Sequence, residues 1–449
     1  MEPEFSAILN SEWGRIMFDW TGQNYAHCDG MARRDFLRIG ALAAGGLTLP
    51  GLLKAESQAG SGATGKSIIN IILSGGPSHT DMFDLKPNAP KEFRGDFRPI
   101  STKVPGFDIC EHMPILAGMG DRITAVRSIT GMNNEHSNAQ SDTGWPLKSL
   151  ESLGGRPSVG SVMSKMFGPA QVTKTGSAPT FVDLSGGTRP GFLGQVFAGY
   201  RPDGTGKANL TLNRDVSRSR LGNRQELLSG FDTLRRDIDG SGMMNALDSF
   251  TERAVSLITS GDVARALDTN QEDPRRLQRY GMPTDRDASK FVLSRRLIEA
   301  GARCVSFTIG GWDLHSNNFK SLATKLPNLD RALSALIEDL EIRGRLDDTI
   351  IMMSGEFGRT PRVNGNAGRD HWPRAASFFL AGGGMKHGQF IGSTNRLGEV
   401  AQDRPIHIQQ VFATVYHQLG IDPNAITLTD PNGRPQYLVD NRQIIEELV

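Results

Sequence analysis

The sequence predicts an α/β protein, a three-layer sandwich in which helices cover both faces of a mainly parallel central sheet. From residue 67 onward, short apolar segments alternate with longer segments whose apolar residues recur at helical spacing. The apolar segments do not alternate with polar residues, which is typical of strands buried on both faces of a parallel sheet. Glycine runs follow several of these segments, as expected for tight turns where strands end.

The individual elements follow from local patterns. The first strand is predicted over residues 68–73 (IINIIL), where a β-branched run ends at Ser-Gly-Gly-Pro. An amphipathic helix is predicted over 327–343, because Leu and Ile recur there every three or four residues before Gly344. The other predicted strands are 123–129, 180–184, 303–309, 349–353 and 376–380, and the other helices are 286–300 and 408–419.

The main domain is predicted to span residues 60–449 and to contain a mostly helical insertion around 205–285. This segment is polar, rich in Arg and Asp, and has a helical pattern over 245–258 without a clear strand. It is either a lid beside a functional site or an ordinary surface connection.

Residues 1–59 are predicted to be an N-terminal extension with an export signal. The sequence ARRDFLR at 32–38 precedes fifteen apolar, Gly/Ala-rich residues, a stretch too short to span a bilayer comfortably. This pattern fits a twin-arginine leader with cleavage before Gly60. The alternative is a basic turn before an internal helix. With a leader, the twin-arginine export machinery is a partner and the protein is periplasmic or extracellular, with no stable membrane span in the mature chain.

Composition excludes several classes of function. Fifty basic and 49 acidic residues give a net charge of +1, which does not indicate binding to nucleic acid or to an anionic membrane. Three scattered cysteines exclude a disulfide scaffold and a Cys-rich zinc module. Cys110 and Cys304 would remain after cleavage, and the sequence does not decide whether they pair.

Histidines and acids collect in the loops that follow the predicted strands. Because ligands bind at the carboxyl ends of parallel strands, these loops are expected to meet in one place. Carboxylates and neutral imidazoles together are ligands for a divalent ion such as Zn, Mn, Mg or Ca. The alternative is that each residue caps a helix or pairs with a nearby arginine. In chain order, these loops contain His79, Asp81 and Asp84; Glu135, His136 and Ser137; Asp313 and His315; and Glu356, Arg359, Asp370 and His371.

Five motifs and the leader resemble the exported bacterial family called domain of unknown function 1501. The resemblance implies membership of the alkaline phosphatase and sulfatase superfamily, hence an alkaline phosphatase-like fold with a metal site at the strand ends. The motifs are GGPSHTDMFDLKP (75–87), NEHSNAQSDTG (134–144), GGWDLHSNN (310–318), SGEFGRTPR (354–362) and GRDHWP (368–373), with RRDFLRIG in the leader.

The resemblance also implies a ligand set. Asp81 would be the first acidic ligand, and Asp84 is the alternative for this position. Asp313 and His315 match the superfamily's Asp/His pair. The remaining implied ligands are Glu356, Asp370 and His371.

The sequence does not determine which group would act as the nucleophile. Asn134 stands where sulfatases carry their modified cysteine or serine, which excludes a formylglycine sulfatase. Ser137 is the nearest hydroxyl nucleophile, although such a serine more often caps a helix, and His136 is the nearest base or an additional ligand. Water activated by the metal would need no protein nucleophile. Arg359 would bind phosphate or sulfate oxygens, or else pair with Glu356 or Asp370.

Two functions remain from the sequence. The first is an exported metal-dependent hydrolase of phosphate or sulfate esters, whose substrate is a small molecule or a carbohydrate ester. The alternative is a non-catalytic exported protein that keeps the fold for binding or assembly.

Overall fold

The structure is a computed structural model and describes residues 65–168, 170–172, 177–202 and 261–449. The predicted leader within residues 1–59 and most of the predicted 205–285 insertion lie outside the described residues. Residues Gly60–Val449 form one compact unit.

The central element is an eight-stranded, mostly parallel sheet. The strands are β1 (Ser67–Leu73), β2 (Ile123–Thr130), β3 (Phe181–Asp183), β4 (Cys304–Ile309), β5 (Thr349–Gly355), β6 (Ala376–Gly382), β7 (Gln389–Ile391) and β8 (Ile406–His407). Their spatial order is β7-β2-β6-β5-β1-β4-β3, and β8 also pairs with β2. β6 runs antiparallel to β2 and β5, and the other pairs in this sheet are parallel. The predicted α/β class and mainly parallel sheet are confirmed.

Helices cover both faces of this sheet because its strands are apolar on both sides. Every residue of β1 is buried. Ile69 and Ile71 contribute to one hydrophobic cluster and Ile68 to a second, as expected because successive side chains of a strand point to opposite faces. The first cluster includes Leu333 of the helix Asn318–Ile342, and the second includes Phe412 of the helix Ile408–Gln418.

The three helices predicted over 286–300, 327–343 and 408–419 are present, and one of them differs in length. The helices of the structure are α1 (His79–Met82), α2 (Lys91–Arg94), α3 (Pro114–Ala117), α4 (Ala139–Thr143), α5 (Val159–Phe167), α6 (Asp262–Leu267), α7 (Pro274–Tyr280), α8 (Ala288–Glu299), α9 (Asn318–Ile342) and α10 (Ile408–Gln418). Two-stranded pairs join Pro99–Ser101 to Asp108–Cys110, Ala170–Val172 to Ser177–Pro179, Gly358–Arg359 to His371–Trp372, Ser393–Thr394 to Ala401–Asp403, and Thr427–Thr429 to Pro435–Tyr437.

The prediction that a helix begins at residue 327 is wrong, because α9 already begins at Asn318 and contains Pro327. A proline inside a helix removes one backbone hydrogen bond and costs about 3 kcal/mol. Phe319, Leu322 and Leu326 continue the buried face of the helix before the proline. Burying these side chains offsets the cost, so tertiary packing outweighs local propensity here.

The described end of the predicted insertion is helical. The α7 helix packs against α9, and the hydroxyl of buried Tyr280 donates to Asp339 Oδ2 at 3.0 Å.

Cys110 and Cys304 are both buried free thiols. Within the described ranges, the structure contains no helix with the length and apolar character needed to cross a membrane.

Candidate metal centre

Four loops meet at one edge of the sheet. β1, β2, β4 and β5 are parallel and end there, and the antiparallel β6 begins there. The side chains delivered to this edge are Ser74 after β1, Asn134 and His136 after β2, Asp313 and His315 after β4, Glu356 after β5, and Asp370 and His371 before β6.

Three histidines and one carboxylate share a small volume at this edge. One ligand atom each from His136, Asp313 and His371 lies within 4.8 Å of the other two. His315 Nε2 lies 3.0 Å from Asp313 Oδ1 and 3.0 Å from His371 Nε2. His371 Nε2 is 3.1 Å from Asp313 Oδ1, and His136 Nε2 is 3.7 Å from Asp313 Oδ2. The predicted convergence of these strand-end loops is therefore present in the structure.

Each of the three imidazoles has an oxygen partner behind it. His136 Nδ1 lies 2.9 Å from Glu356 Oε2, and His315 Nδ1 lies 2.7 Å from Asp370 Oδ1.

The third partner is an amide, because His371 Nδ1 lies 2.7 Å from Asn134 Oδ1. Oxygens that accept a hydrogen bond favour the tautomer with the proton on Nδ1, which leaves the Nε2 lone pairs facing the shared volume. Histidines that ligate metals are oriented in this way.

These contacts favour a cation at the centre. With the protons on Nδ1, the contacts of 3.0 Å and 3.1 Å among His315 Nε2, His371 Nε2 and Asp313 Oδ1 bring acceptors together without a hydrogen to share. Atoms bound to one zinc ion at about 2.1 Å would lie about 3.0 to 3.4 Å from one another. The spacing and chemistry of these side chains therefore fit a divalent ion.

The protonation states agree with this interpretation. Although partial burial works in the opposite direction, the hydrogen bond and the positive charge of Arg359 hold the pKa of Asp313 at about 2. Burial lowers the pKa of His371, and the nearby charge of Arg359 lowers it further, although the adjacent Asp313 carboxylate opposes the shift. An ionised carboxylate and a neutral imidazole are the forms that bind a metal.

Arg359 holds Asp313 in place and does not face the cleft. Its guanidinium is buried and lies 2.5 Å from Asp313 Oδ1. Its other hydrogen bonds go to backbone carbonyls, including those of Gly76 at 2.8 Å and Arg369 at 2.9 Å, and to Gly75. Arg359 therefore pairs with neither Glu356 nor Asp370, and its guanidinium nitrogens are occupied by Asp313 and by backbone carbonyls.

Glu356 and Asp370, which were expected to be ligands, lie behind histidines. Glu356 is buried, and its second carboxylate oxygen accepts a hydrogen bond from Ser74 Oγ at 2.9 Å. Asp370 is exposed and also accepts from Asn364 Nδ2 at 3.2 Å. Both acids are therefore placed to orient an imidazole.

Asp81 lies in a separate buried ion pair. Its two oxygens accept from Arg369 Nε at 2.7 Å and Nη2 at 2.8 Å, and Asn318 Nδ2 adds a bond of 2.8 Å. Asp84, the alternative to Asp81, forms an ion pair with Lys86 at 2.9 Å and accepts a hydrogen bond from Thr394. The structure does not bring either acid into the histidine cluster, because cationic or polar groups of the chain already occupy their oxygens.

Ser137 has a local partner. Its Oγ accepts from the backbone N–H of Ala139 at 3.3 Å, at the start of α4. This contact belongs to a local turn before α4, whose N-cap is Asn138 and has no side-chain cap, so Ser137 does not cap the helix. The sequence did not predict that Asn134 orients a histidine of the site. The one indication in the sequence was its position two residues before His136.

Two of the loops are tied together by backbone contacts. Asn317 N–H donates to Asn366 O at 3.0 Å, and Arg369 N–H donates to Leu314 O at 3.0 Å. At Gly368, an added Cβ would lie 2.0 Å from His315 O, so only glycine permits this approach. The loop with Asp313 and His315 and the loop with Asp370 and His371 therefore form one unit.

The fold and site together define an α/β protein with a histidine–carboxylate cluster at the carboxyl edge of its sheet. Residues 65–449 match the family described as Protein of unknown function (DUF1501), and the chain belongs to this family. Comparison with curated protein sequences found no match.

Comparison with solved structures found weak similarity to two different proteins, among others. The lipoteichoic acid synthase LtaP from Listeria monocytogenes is 12% identical over 81% of this chain and 74% of its own, with a TM-score of 0.32. Ps i-CgsB in complex with k-i-k-neocarrahexaose is 8% identical over 80% of this chain and 72% of its own, with a TM-score of 0.31. Likeness at this level assigns neither a fold family nor an activity to this chain.

Proposed function

We propose that this protein is an exported metal-dependent hydrolase of phosphate or sulfate esters with an alkaline phosphatase-like fold. The observation that carries the proposal is the set of three imidazoles whose Nδ1 atoms have oxygen partners and whose Nε2 atoms surround Asp313. The position of this cluster at the carboxyl ends of parallel strands is where α/β proteins bind ligands.

Asp313, His315 and His371 would hold the ion, with His136 as a further ligand or as a base. When bound, a divalent ion polarises an ester oxygen and makes water more acidic. The Glu356 carboxylate keeps the proton of His136 on Nδ1, so Nε2 is available either to the ion or to a proton from water. The side chain of His136 is 50% exposed, and a substrate would reach it directly.

Metal analysis and hydrolysis assays test this proposal. We expect purified protein to contain a divalent ion and to hydrolyse 4-nitrophenyl phosphate or 4-nitrophenyl sulfate. A chelator should abolish hydrolysis, and His371→Ala should remove both the ion and the activity. His417→Ala is the matched control, because His417 is an exposed histidine on α10, outside the cluster. Protein without an ion that is fully stable in chelator would refute the metal site.

The alternative is a non-catalytic exported binding or assembly protein. Two observations favour it: Arg359 is buried against Asp313, and the Ser137 hydroxyl accepts a hydrogen bond from the backbone N–H of Ala139. This alternative would be correct if the protein binds the ion but hydrolyses none of the esters with Zn, Mn, Mg or Ca.

Export is part of the proposal and rests on the leader sequence. Replacing the twin arginines Arg33 and Arg34 by lysine should retain the protein in the cytoplasm, and the exported form should begin near Gly60. Fractionation and N-terminal sequencing measure both. Unchanged export of the double variant would refute the twin-arginine route.

A further inference from the structure

A cavity of about 250 Å³ lies beside the metal centre, and His136 lines both. The loop from His136 to Ala139 and the helix α4 form one wall of the cavity. Gly187 and Arg189, in the loop after β3, contribute another wall. Because liquid water occupies about 30 Å³ per molecule, this volume equals about eight waters, which is enough for a small group such as sulfate or phosphate.

The cavity has two arginines with different surroundings. Arg156 Nε donates to Ser149 Oγ at 3.1 Å, and its guanidinium lies 3.8 Å above the ring of Trp145, so its orientation is fixed. Arg189 is exposed, and its guanidinium forms no hydrogen bond or ion pair with any residue that the structure describes, although its backbone carbonyl accepts from Ser158 N–H at 3.1 Å. A guanidinium without a partner at the wall of a cavity is suited to bind an anion through two parallel hydrogen bonds.

One acid, Asp142, also lines the cavity. Burial raises the pKa of Asp142 well above its usual range, and the nearby Asp183 raises it further, against an opposing hydrogen bond from Asn70. The Asn70 amide lies 3.0 Å from Asp142 Oδ1. Burial therefore disfavours a negative charge on Asp142 at the cavity wall.

We propose that this cavity is a subsite for a second anionic group of the substrate, a sulfate, phosphate or carboxylate, held by Arg189 and Arg156. This inference rests on the proposed function and specifies its substrate class, an ester that carries a further acidic group. The ester would lie at the metal centre on one side of His136, and the second anion would lie in the cavity on the other side.

Anion binding to metal-free protein tests the subsite without relying on catalysis. Full-length protein treated with chelator is titrated with inorganic sulfate and inorganic phosphate, and binding is followed by calorimetry and by the melting temperature. We expect saturable binding, and Arg189→Ala should weaken it about tenfold, because a hydrogen bond to a charged group is lost. Arg331→Ala is the control, since Arg331 is an exposed arginine on α9, away from the cavity.

Two outcomes would overturn the subsite. One is the absence of anion binding by the metal-free protein. The other is equal affinity in Arg189→Ala and the parent protein. Because Arg189 is exposed, circular dichroism should show that the variant is folded.

Kinetics separate this inference from the proposed hydrolase activity. If esters are hydrolysed, Arg189→Ala should raise KM for an ester with a second acidic group and leave KM for 4-nitrophenyl phosphate within twofold. Equal effects on both esters would refute the subsite while leaving the hydrolase intact. A lack of hydrolysis with either ester would refute the hydrolase, and the binding titration would still decide the subsite.

Discussion

Replacing Glu356 by glutamine should weaken metal binding without unfolding the protein. Glutamine has nearly the same shape as glutamate, and its amide oxygen would still accept the hydrogen of His136 Nδ1. The amide nitrogen would then face Ser74 Oγ, which can rotate to accept its hydrogen. The buried hydrogen bonds are therefore conserved, but the charge behind the imidazole is lost.

The expected size of this effect follows from the change in one hydrogen bond. A bond to a charged partner contributes about 1.5–3 kcal/mol, whereas a neutral one contributes about 0.5–1.5 kcal/mol. The difference of about 1.4 kcal/mol corresponds to a tenfold change in Kd. If the amide turned its NH₂ group toward Nδ1, the proton of His136 would move to Nε2 and affinity would fall further. We therefore expect a Kd raised by about 10- to 100-fold, the range for residues that orient metal ligands.

Competition with a chromophoric chelator, with Zn²⁺ and Mn²⁺ in turn, measures this Kd. Glu341→Gln is the matched control, because Glu341 is an acid on the distant α9 surface, where it pairs with Arg122 at 2.7 Å. Urea unfolding in chelator should give a similar midpoint for the parent and for Glu356→Gln. A folded variant whose Kd stays within twofold of the parent would refute the orienting role of Glu356.

Three further substitutions test neighbouring parts of the site. Asp313→Asn should abolish measurable metal binding in the same competition assay and, because a buried arginine loses its carboxylate partner, lower the free energy of unfolding by about 1–3 kcal/mol. Asp81→Asn should lower the free energy of unfolding by about 3–5 kcal/mol, since it breaks the buried pair with Arg369, while the folded fraction still binds one equivalent of the same ion. Gly75→Ala should weaken metal binding and lower the melting temperature, because its Cβ would lie 2.3 Å from Asp313 N.

Each of these has a contrary outcome. Normal metal content in Asp313→Asn would exclude this carboxylate as a ligand. If Asp81→Asn lost the ion but kept its stability, Asp81 would be a ligand, as the family resemblance implies. A wild-type melting temperature for Gly75→Ala would show that the close approach of the two loops is not required.

The long strands of the sheet could be predicted from sequence because strands buried on both faces leave a continuous apolar run. The strand predicted over residues 303–309 spans Cys304–Ile309, and the one predicted over 349–353 extends to Gly355. The short β7 and β8 strands were not predicted. They have only three and two residues, and their strand character comes from pairing with β2 and not from their own composition.

The loops that form the site could also be predicted, but the direction of each side chain could not. Asp313 and His315 follow β4 directly, so their location is set by the end of the strand. Glu356 and Asp370 have the chemistry of metal ligands, yet their oxygens face imidazole Nδ1 atoms. Whether a carboxylate touches an ion or a histidine depends on loop geometry, which residue type does not specify.

The joined loops of residues 310–318 and 364–372 have a consequence for the binding of an ion. Besides the side-chain contacts of His315 with Asp370 and His371, they share backbone hydrogen bonds and the close approach at Gly368. The backbone contacts restrict how far the two loops can move apart, so binding of an ion should cost less conformational entropy than it would between independent loops.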